Sequence, residues 1–336
     1  MLQKIQKKLE ENHCLVVTDK HNIRYALGTE ISGYLFLTEE DAELLASNFY
    51  RYEEIEVEKQ FYSSKNQFEQ ILEEKVEQYQ DLEVTADRKN KLLEENFDLE
   101  ISSLITDLRK VKSSKEVEKI GEAVEVTEKA FNRVKDILFE GVTEREVVEE
   151  IEKVFREENV YDSFIENGGT ALVHRNCLRP HRRPENELVE GDDIVIVDIG
   201  AEVDGYCADM TRTYFKNPSE EKKKLYRDVK EIRNELIKFI EPGINVSDIR
   251  EKEVGLVKDK GYSVEENLIH STGHGIGLQV HEAPSINSSS EEILKPGMVI
   301  ALEPALYVED VGGVRLEDDF LVKTEDIEKL SNLKHQ

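Results

Sequence analysis

The sequence predicts two layered domains, an α/β unit over residues 1–110 and a mixed α+β unit over 111–336. Three observations carry this. Short apolar runs alternate with charged, helically spaced segments through the first third, the pattern of strands and helices in layers. A long amphipathic helix with its own N-terminal cap opens near Ser113. From about residue 190 glycines become dense, and the apolar runs end on acids. A chain of 336 residues suits two domains of ordinary size, each able to bury a core.

Taken in order, MLQKIQKKLEENH reads as a short amphipathic helix without the apolar core of a signal peptide. CLVVTD (14–19), SGYLFLT (32–38), EIEVEK (54–59) and DLEVTAD (81–87) read as strands, and Glu39–Ser47 and Lys65–Tyr79 as helices. The domain junction falls at about 109–115. There Ser113 and Glu116 form a capping box, each side chain meeting the other residue's free backbone N–H. Ile120, Ala123, Val124, Thr127, Ala130, Phe131 and Val134 then share one helix face. Gly141 stops that helix, and Thr143 with Glu146 caps the next, whose apolar face carries Val147, Val148, Ile151 and Val154. Further strands are IVIVDIGAEV (194–203), CADMTRTYF (207–215), GMVIALE (297–303) and GGVRLEDDFLV (312–322).

Composition excludes several functions. Lys and Arg number 45 against 73 Asp and Glu, a net charge of −28 spread over both domains. Phosphate-rich surfaces repel such a chain, so neither nucleic acid nor an anionic membrane is expected as a partner. No stretch reaches the roughly 18 apolar residues that span a bilayer. Cys14, Cys177 and Cys207 form neither a disulfide framework nor a zinc-binding spacing and read as idle thiols in a reducing compartment. The expectation is a cytoplasmic protein.

The chemistry lies in the second half. IVIVD ends on Asp198, and Asp204-Gly205 supplies a two-residue hairpin loop. That loop sets Val203 opposite Tyr206 and Asp198 opposite Thr211, with Asp209 on the face of Thr211 and diagonal to Asp198. GMVIALE ends on Glu303, and Glu317 follows fourteen residues later, so an odd-numbered loop lets the two oppose each other. One such acid is usually a solvated strand end. Two matched pairs on apolar strands would repel one another unless cations neutralise them. His270, His274 and His281 lie within twelve residues among Gly273, Gly275 and Gly277. A phosphate-cradling loop is a weak reading there, because the glycine spacing lacks the dinucleotide-binding pattern. Four carboxylates and an imidazole suit two divalent ions, Mn²⁺ first and Co²⁺, Fe²⁺ or Zn²⁺ also compatible. Such a pair deprotonates a bridging water and polarises a carbonyl or phosphoryl oxygen, which makes a dinuclear metallohydrolase and leaves amide or phosphate ester open.

VDIGAEVDGYCADMTRT, HSTGHGIGLQVHEAP, LKPGMVIALEP and GGVRLED resemble, in order and spacing, the proline-peptidase branch of the pita-bread metallopeptidases. That branch comprises Xaa-Pro aminopeptidases and Xaa-Pro dipeptidases (prolidases). The likeness covers about 112–325 well, through LRKVKSSKEVEKI and GVTEREV, and the N-terminal part loosely through NIRYALG. It implies a creatinase-like N-terminal α/β domain, a pita-bread (creatinase/aminopeptidase-like) α+β catalytic domain, and removal of the residue preceding proline from a peptide. By motif position Asp198 would hold one metal, Asp209 and Glu317 would bridge both, and His274 and Glu303 would complete the second. Glu303 would also shuttle the proton from the water. His181, seventeen residues before Asp198, matches a histidine that meets the intermediate or leaving group, with His174 as the competing candidate. His270 and His281 match pocket histidines, His281 steadying the oxyanion, and Arg315 matches an arginine that orients the site and the substrate. A homodimer is a family expectation.

The sequence departs from that pattern in places. Arg175, Arg179, Arg182 and Arg183 crowd a long loop, reading as local charge balance or as a seat for a substrate carboxylate. Ala301 and Ala305 stand where the family commonly has Thr and Gly. Ser285 stands where many prolidases carry an arginine for the dipeptide carboxylate, which leaves action on longer peptides open. The rivals are a methionine aminopeptidase, which typically lacks the preceding domain, and a non-catalytic binding module, which would have lost ligands.

Overall fold

The alternating runs of the first third assemble into one six-stranded sheet in the computed structural model, which describes residues 1–164, 172–180 and 182–336. The chain divides into two units, Met1–Arg109 and Lys110–Gln336. In the first, α1 (Leu2–Gln6) precedes β1 (His13–Val17), α2 (Lys20–Leu27), β2 (Gly33–Leu37), β3 (Ala42–Ser47) and β4 (Glu58–Tyr62). Then come α3 (Lys65–Tyr79), β5 (Glu83–Ala86), α4 (Lys91–Glu94), β6 (Glu100–Ile101) and α5 (Leu104–Lys110). The strand order is β4-β3-β2-β1-β5-β6. Ser64 caps α3 through the Gln67 N–H, and Ile71, Leu72 and Tyr79 of that helix pack on Cys14, Val16, Phe36 and Leu45 of the sheet.

Two expectations are corrected here. The segment 39–47 is not helical, because Ala42–Ser47 forms a strand held between β2 and β4. Its residues 43–46 are all buried, so the alternation that marks a half-exposed strand is lost and a helix-like spacing remains. Glu43 tolerates that burial because its carboxylate accepts from Lys75, from Gln78 Nε2 at 2.6 Å and from Tyr79 Oη at 2.9 Å. The strand expected at 54–59 begins at Glu58 and runs to Tyr62, since the aromatic end has the packing partner: Tyr62 meets Phe68 at 4.9 Å between ring centres.

In the second unit α6 (Ser114–Ile137) and α7 (Glu144–Glu157) both carry the capping boxes read from the sequence. Their apolar faces bury Ala123, Phe131, Val147 and Ile151 against Val195, Val197 and Met210. The strands that follow are β7 (Tyr161–Asp162), β8 (Leu172–Arg175), β9 (Ile194–Ile199), β10 (Ala201–Val203), β11 (Tyr206–Cys207) and β12 (Met210–Phe215). After α8 (Glu220–Phe239), α9 (Val246–Asp259) and α10 (Val264–Asn267) come β13 (Gly273–Gly275), β14 (Glu282–Ile286) and β15 (Val299–Leu302). The chain closes on β16 (Ala305–Val308), β17 (Gly312–Arg315), β18 (Asp318–Val322) and β19 (Ile327–Lys329). A five-stranded sheet, β14-β13-β15-β18-β19, a three-stranded one, β12-β9-β8, and a two-stranded one, β16-β17, frame the residues discussed below. Among the described residues no helix is long and apolar enough to cross a membrane.

Two long hairpins organise this unit, and each keeps one register across an interruption. In the first, Val203 faces Tyr206 beyond the break and Asp198 faces Thr211 before it, as the Asp204-Gly205 loop requires. In the second, Val299 faces Leu321 and Ala305 faces Arg315, so Glu303 and Glu317 occupy opposed positions in the gap. Gly200 lies opposite Asp209 in the first gap, where a Cβ would come within 1.9 Å of the Ala208 carbonyl oxygen and 2.3 Å of Ser163 Oγ. Gly200→Ala is therefore expected to overpack the gap and lower stability by about 1–3 kcal/mol, measured by urea unfolding. An unchanged midpoint would show that the two strands are not held in that contact.

Candidate metal centre

The interruptions in the two hairpins fall where the acids are. Asp198 ends the apolar run of β9, Asp209 precedes β12, Glu303 follows β15, and Glu317 lies between β17 and β18. His274 comes from the middle of β13, which pairs with β15. Asp209, His274 and Glu317 are 4%, 5% and 2% exposed. Three overlapping trios each place one ligand atom per residue within 4.8 Å of the others: Asp198, Asp209 and Glu317; His274, Glu303 and Glu317; and Asp209, His274 and His281.

The donor set fits divalent cations. His274 Nδ1 lies 3.1 Å from the Gly275 carbonyl, which marks it as the N–H and leaves the Nε2 lone pair facing Asp209 Oδ2 at 3.5 Å, Glu303 Oε1 at 3.8 Å and Glu317 Oε1 at 4.0 Å. Burial, and His281 beside it, lower the His274 pKa to about 3, so the imidazole is neutral. Asp209 Oδ1 and Glu317 Oε1 are buried without a hydrogen-bond partner. Acceptors aimed at acceptors are repulsive unless a positive charge sits between them.

Burial raises the carboxyls further. Asp209 stands well above the ordinary range through burial, then through Glu317 and Asp198; Glu303 does so through burial, then Glu317. Glu317 is pushed up to about 7 by burial and by Asp198. Thr211 Oγ1 lies between the pairs, 2.6 Å from Glu317 Oε2 and 3.1 Å from Asp198 Oδ1.

Arg315 is 4% exposed and pairs with Asp198; its Nε donates to Thr211 Oγ1 at 2.9 Å and one terminal nitrogen to Tyr307 Oη at 3.4 Å. Its nitrogens are thus directed at other residues of the site. Tyr307 Oη also lies 3.1 Å from His270 Nε2, whose Nδ1 is 3.5 Å from Glu303 Oε2. The His281 ring stands 4.3 Å from that of His274 and is exposed. His181 lies outside the described residues. His174 is on β8, opposite Ile196 of β9. Two of the crowded arginines balance local acids: Arg175 pairs with Glu187 and Asp193, and Arg182 with Glu144 and Glu185.

Tyr307 and Asp319 were not singled out in the sequence. Tyr307 is two residues beyond Ala305, the partner of Arg315, so strand alternation puts it on that face. Asp319 Oδ2 accepts the Asp209 backbone N–H at 3.0 Å and holds the gap of the first hairpin from the second. Only the doubled acid after Glu317 hinted at it.

The raised Glu317 carboxyl gives a pH signature. Without a cation the folded chain keeps a proton that the unfolded chain releases. The stability this group contributes is complete below its ordinary value of 4.5 and is lost as pH rises through about 7. The gap in melting temperature between metal-saturated and chelated protein should therefore widen from about pH 5 to about pH 7.5. A gap independent of pH would contradict the assignment of these acids to one cluster.

The sequence matches metallopeptidase family M24 over residues 118–324. An uncharacterized peptidase of Staphylococcus aureus strain MW2 is 37% identical over 234 residues, 69% of this chain and 66% of that relative. Among solved structures, an Xaa-Pro dipeptidase from Bacillus anthracis superposes with a TM-score of 0.88 at 27% identity, covering 100% of this chain and 98% of that one. A prolidase from Pyrococcus horikoshii OT3 gives 0.88 at 26%, covering 100% and 99%. An X-Pro aminopeptidase from Thermotoga maritima MSB8 gives 0.84 at 25%, covering 99% of each chain. With the ligand-competent cluster in the C-terminal unit and the fold shared along the whole chain, this protein belongs to metallopeptidase family M24, has its pita-bread catalytic domain, and resembles that family's proline-peptidase branch.

Proposed function

We propose that the protein removes the N-terminal residue that precedes proline from peptides, as an Xaa-Pro aminopeptidase or Xaa-Pro dipeptidase. The observation that carries this is the cluster of Asp198, Asp209, His274, Glu303 and Glu317 in an M24 chain whose solved neighbours include an Xaa-Pro dipeptidase, a prolidase and an X-Pro aminopeptidase. Asp198 would hold one ion, Asp209 and Glu317 both, and His274 with Glu303 the second. Divalent cations held by these residues would supply Lewis-acid polarisation of a carbonyl and a lowered pKa for a bound water.

The chain's own residues do the rest. Glu303, at the edge of the cluster beside His270, takes the proton from the attacking water and returns it toward the leaving imino nitrogen. His281, exposed and with its ring beside that of His274, donates to the developing oxyanion. Arg315 holds Asp198, and Tyr307 links Arg315 to His270 beside Glu303. His181 is the histidine that meets the intermediate or the leaving group. The same reading takes Mn²⁺ as the ion, a proline-containing peptide as the partner, a cytoplasmic location and a homodimer. Ser285, exposed on β14, offers no guanidinium to a dipeptide carboxylate, which favours longer peptides.

Asp209→Asn should lower bound metal and reduce hydrolysis by about a hundredfold or more, because even outer partners of metal ligands cost about 10–100-fold. Unchanged turnover would overturn the site. Comparing Ala-Pro, Ala-Pro-Ala and Met-Ala-Ser as substrates tests specificity. The two proline peptides should be cleaved; cleavage of Met-Ala-Ser alone would favour a methionine aminopeptidase and overturn the proline assignment.

A further inference from the structure

His281 is the exposed imidazole of the three and sits on a turn between β13 and β14, so its direction depends on what holds that turn. Ile276 and Val280 are buried beside it with Ile120 of α6 and Val299 of β15. The Gly277 carbonyl accepts the Cys207 N–H at 2.8 Å. Apolar packing of this kind fixes depth but not rotation.

A polar tether lies one residue further on, at Glu282. The His281 ring stands against that of His274, and the carboxylate of the next residue lies across the turn against Gly277. Its Oε1 lies 2.5 Å from where a Cβ on Gly277 would be and accepts from Lys112 Nζ at 2.8 Å. The two side chains are 2% and 7% exposed. Lys112 is itself anchored, since its N–H donates to the Gly297 carbonyl at 2.8 Å and the next residue caps α6. An ion pair buried this deeply gives little more stability than apolar side chains of similar volume would, but it imposes direction.

We infer that the Lys112–Glu282 ion pair is a positioning device that sets the His281 imidazole against the reacting carbonyl. The inference rests on the proposed role of His281, and the experiment separates the two. Wild type, Lys112→Met, Lys112→Arg, Glu282→Gln, His281→Ala and the Lys112→Met/His281→Ala double variant are compared as metal-loaded protein on an Xaa-Pro tripeptide. Metal content is recorded alongside, and the side-chain ¹H–¹⁵N signals of His281 are recorded on protein loaded with diamagnetic Zn²⁺. Lys112→Met and Glu282→Gln should each lower kcat by about 10–100-fold with KM little changed, the cost of a misplaced group. Metal content should hold, and the His281 signals should shift or broaden. Lys112→Arg should recover most of kcat. Once His281 is gone, losing Lys112 should cost nothing further. Glu282→Gln is nearly isosteric and carries the test if Lys112→Met does not fold. Wild-type kcat in Glu282→Gln together with a loss in His281→Ala overturns the inference alone, as does full additivity in the double variant. Wild-type kcat in His281→Ala overturns the role of His281 and the inference with it.

Discussion

Negative charge buried beyond what the protein can neutralise by itself is the constraint from which the catalytic unit follows. Asp209, Glu303 and Glu317 converge on a neutral imidazole, while Asp198 joins Asp209 and Glu317 and pairs with Arg315. The remaining carboxyls are pushed upward mainly by their own burial and then by one another. A fold that holds them together this way stores an affinity for cations. Acids, hydroxyl and guanidinium are held in one arrangement by hydrogen bonds among themselves.

The backbone explains how five side chains from distant positions reach one place. Each hairpin stops pairing at Asp209 or at Glu303 and Glu317 and resumes in the same register beyond, so the opening is fixed from both sides. The hairpins are then tied to one another: the Glu317 N–H donates to the Thr211 carbonyl at 3.1 Å, and Asp319 holds the Asp209 N–H. His274 joins through the strand pairing of β13 with β15, and the Glu303 N–H reaches the Thr272 carbonyl at 2.9 Å. The acids therefore sit at the crossing of three strand systems, where a single displaced strand alters several ligands together.

Much of this was legible in the residues because local chemistry determined it. Asp204-Gly205 allows one tight loop, and that loop alone sets Asp198 opposite Thr211. Ser113 with Glu116, and Thr143 with Glu146, announce helix starts that the structure reproduces. Residues 39–47 misled because a strand buried on both sides loses its alternation, and only the neighbours β2 and β4 decide the outcome. The links from Tyr307 to His270, from Asp319 to Asp209 and from Lys112 to Glu282 were not legible, since each joins segments whose spatial relation comes from tertiary packing. Ligands on strands are easier to read from a sequence than the residues that aim them.

Anomalous diffraction at the manganese edge, on crystals of protein that is turning over substrate in solution with Mn²⁺, tests the central claim most directly. Two peaks should appear about 3.5–4 Å apart, with Asp209 and Glu317 between them and His274 Nε2 directed at one. A single ion elsewhere, or active protein whose four carboxylates surround no ion at all, would contradict it.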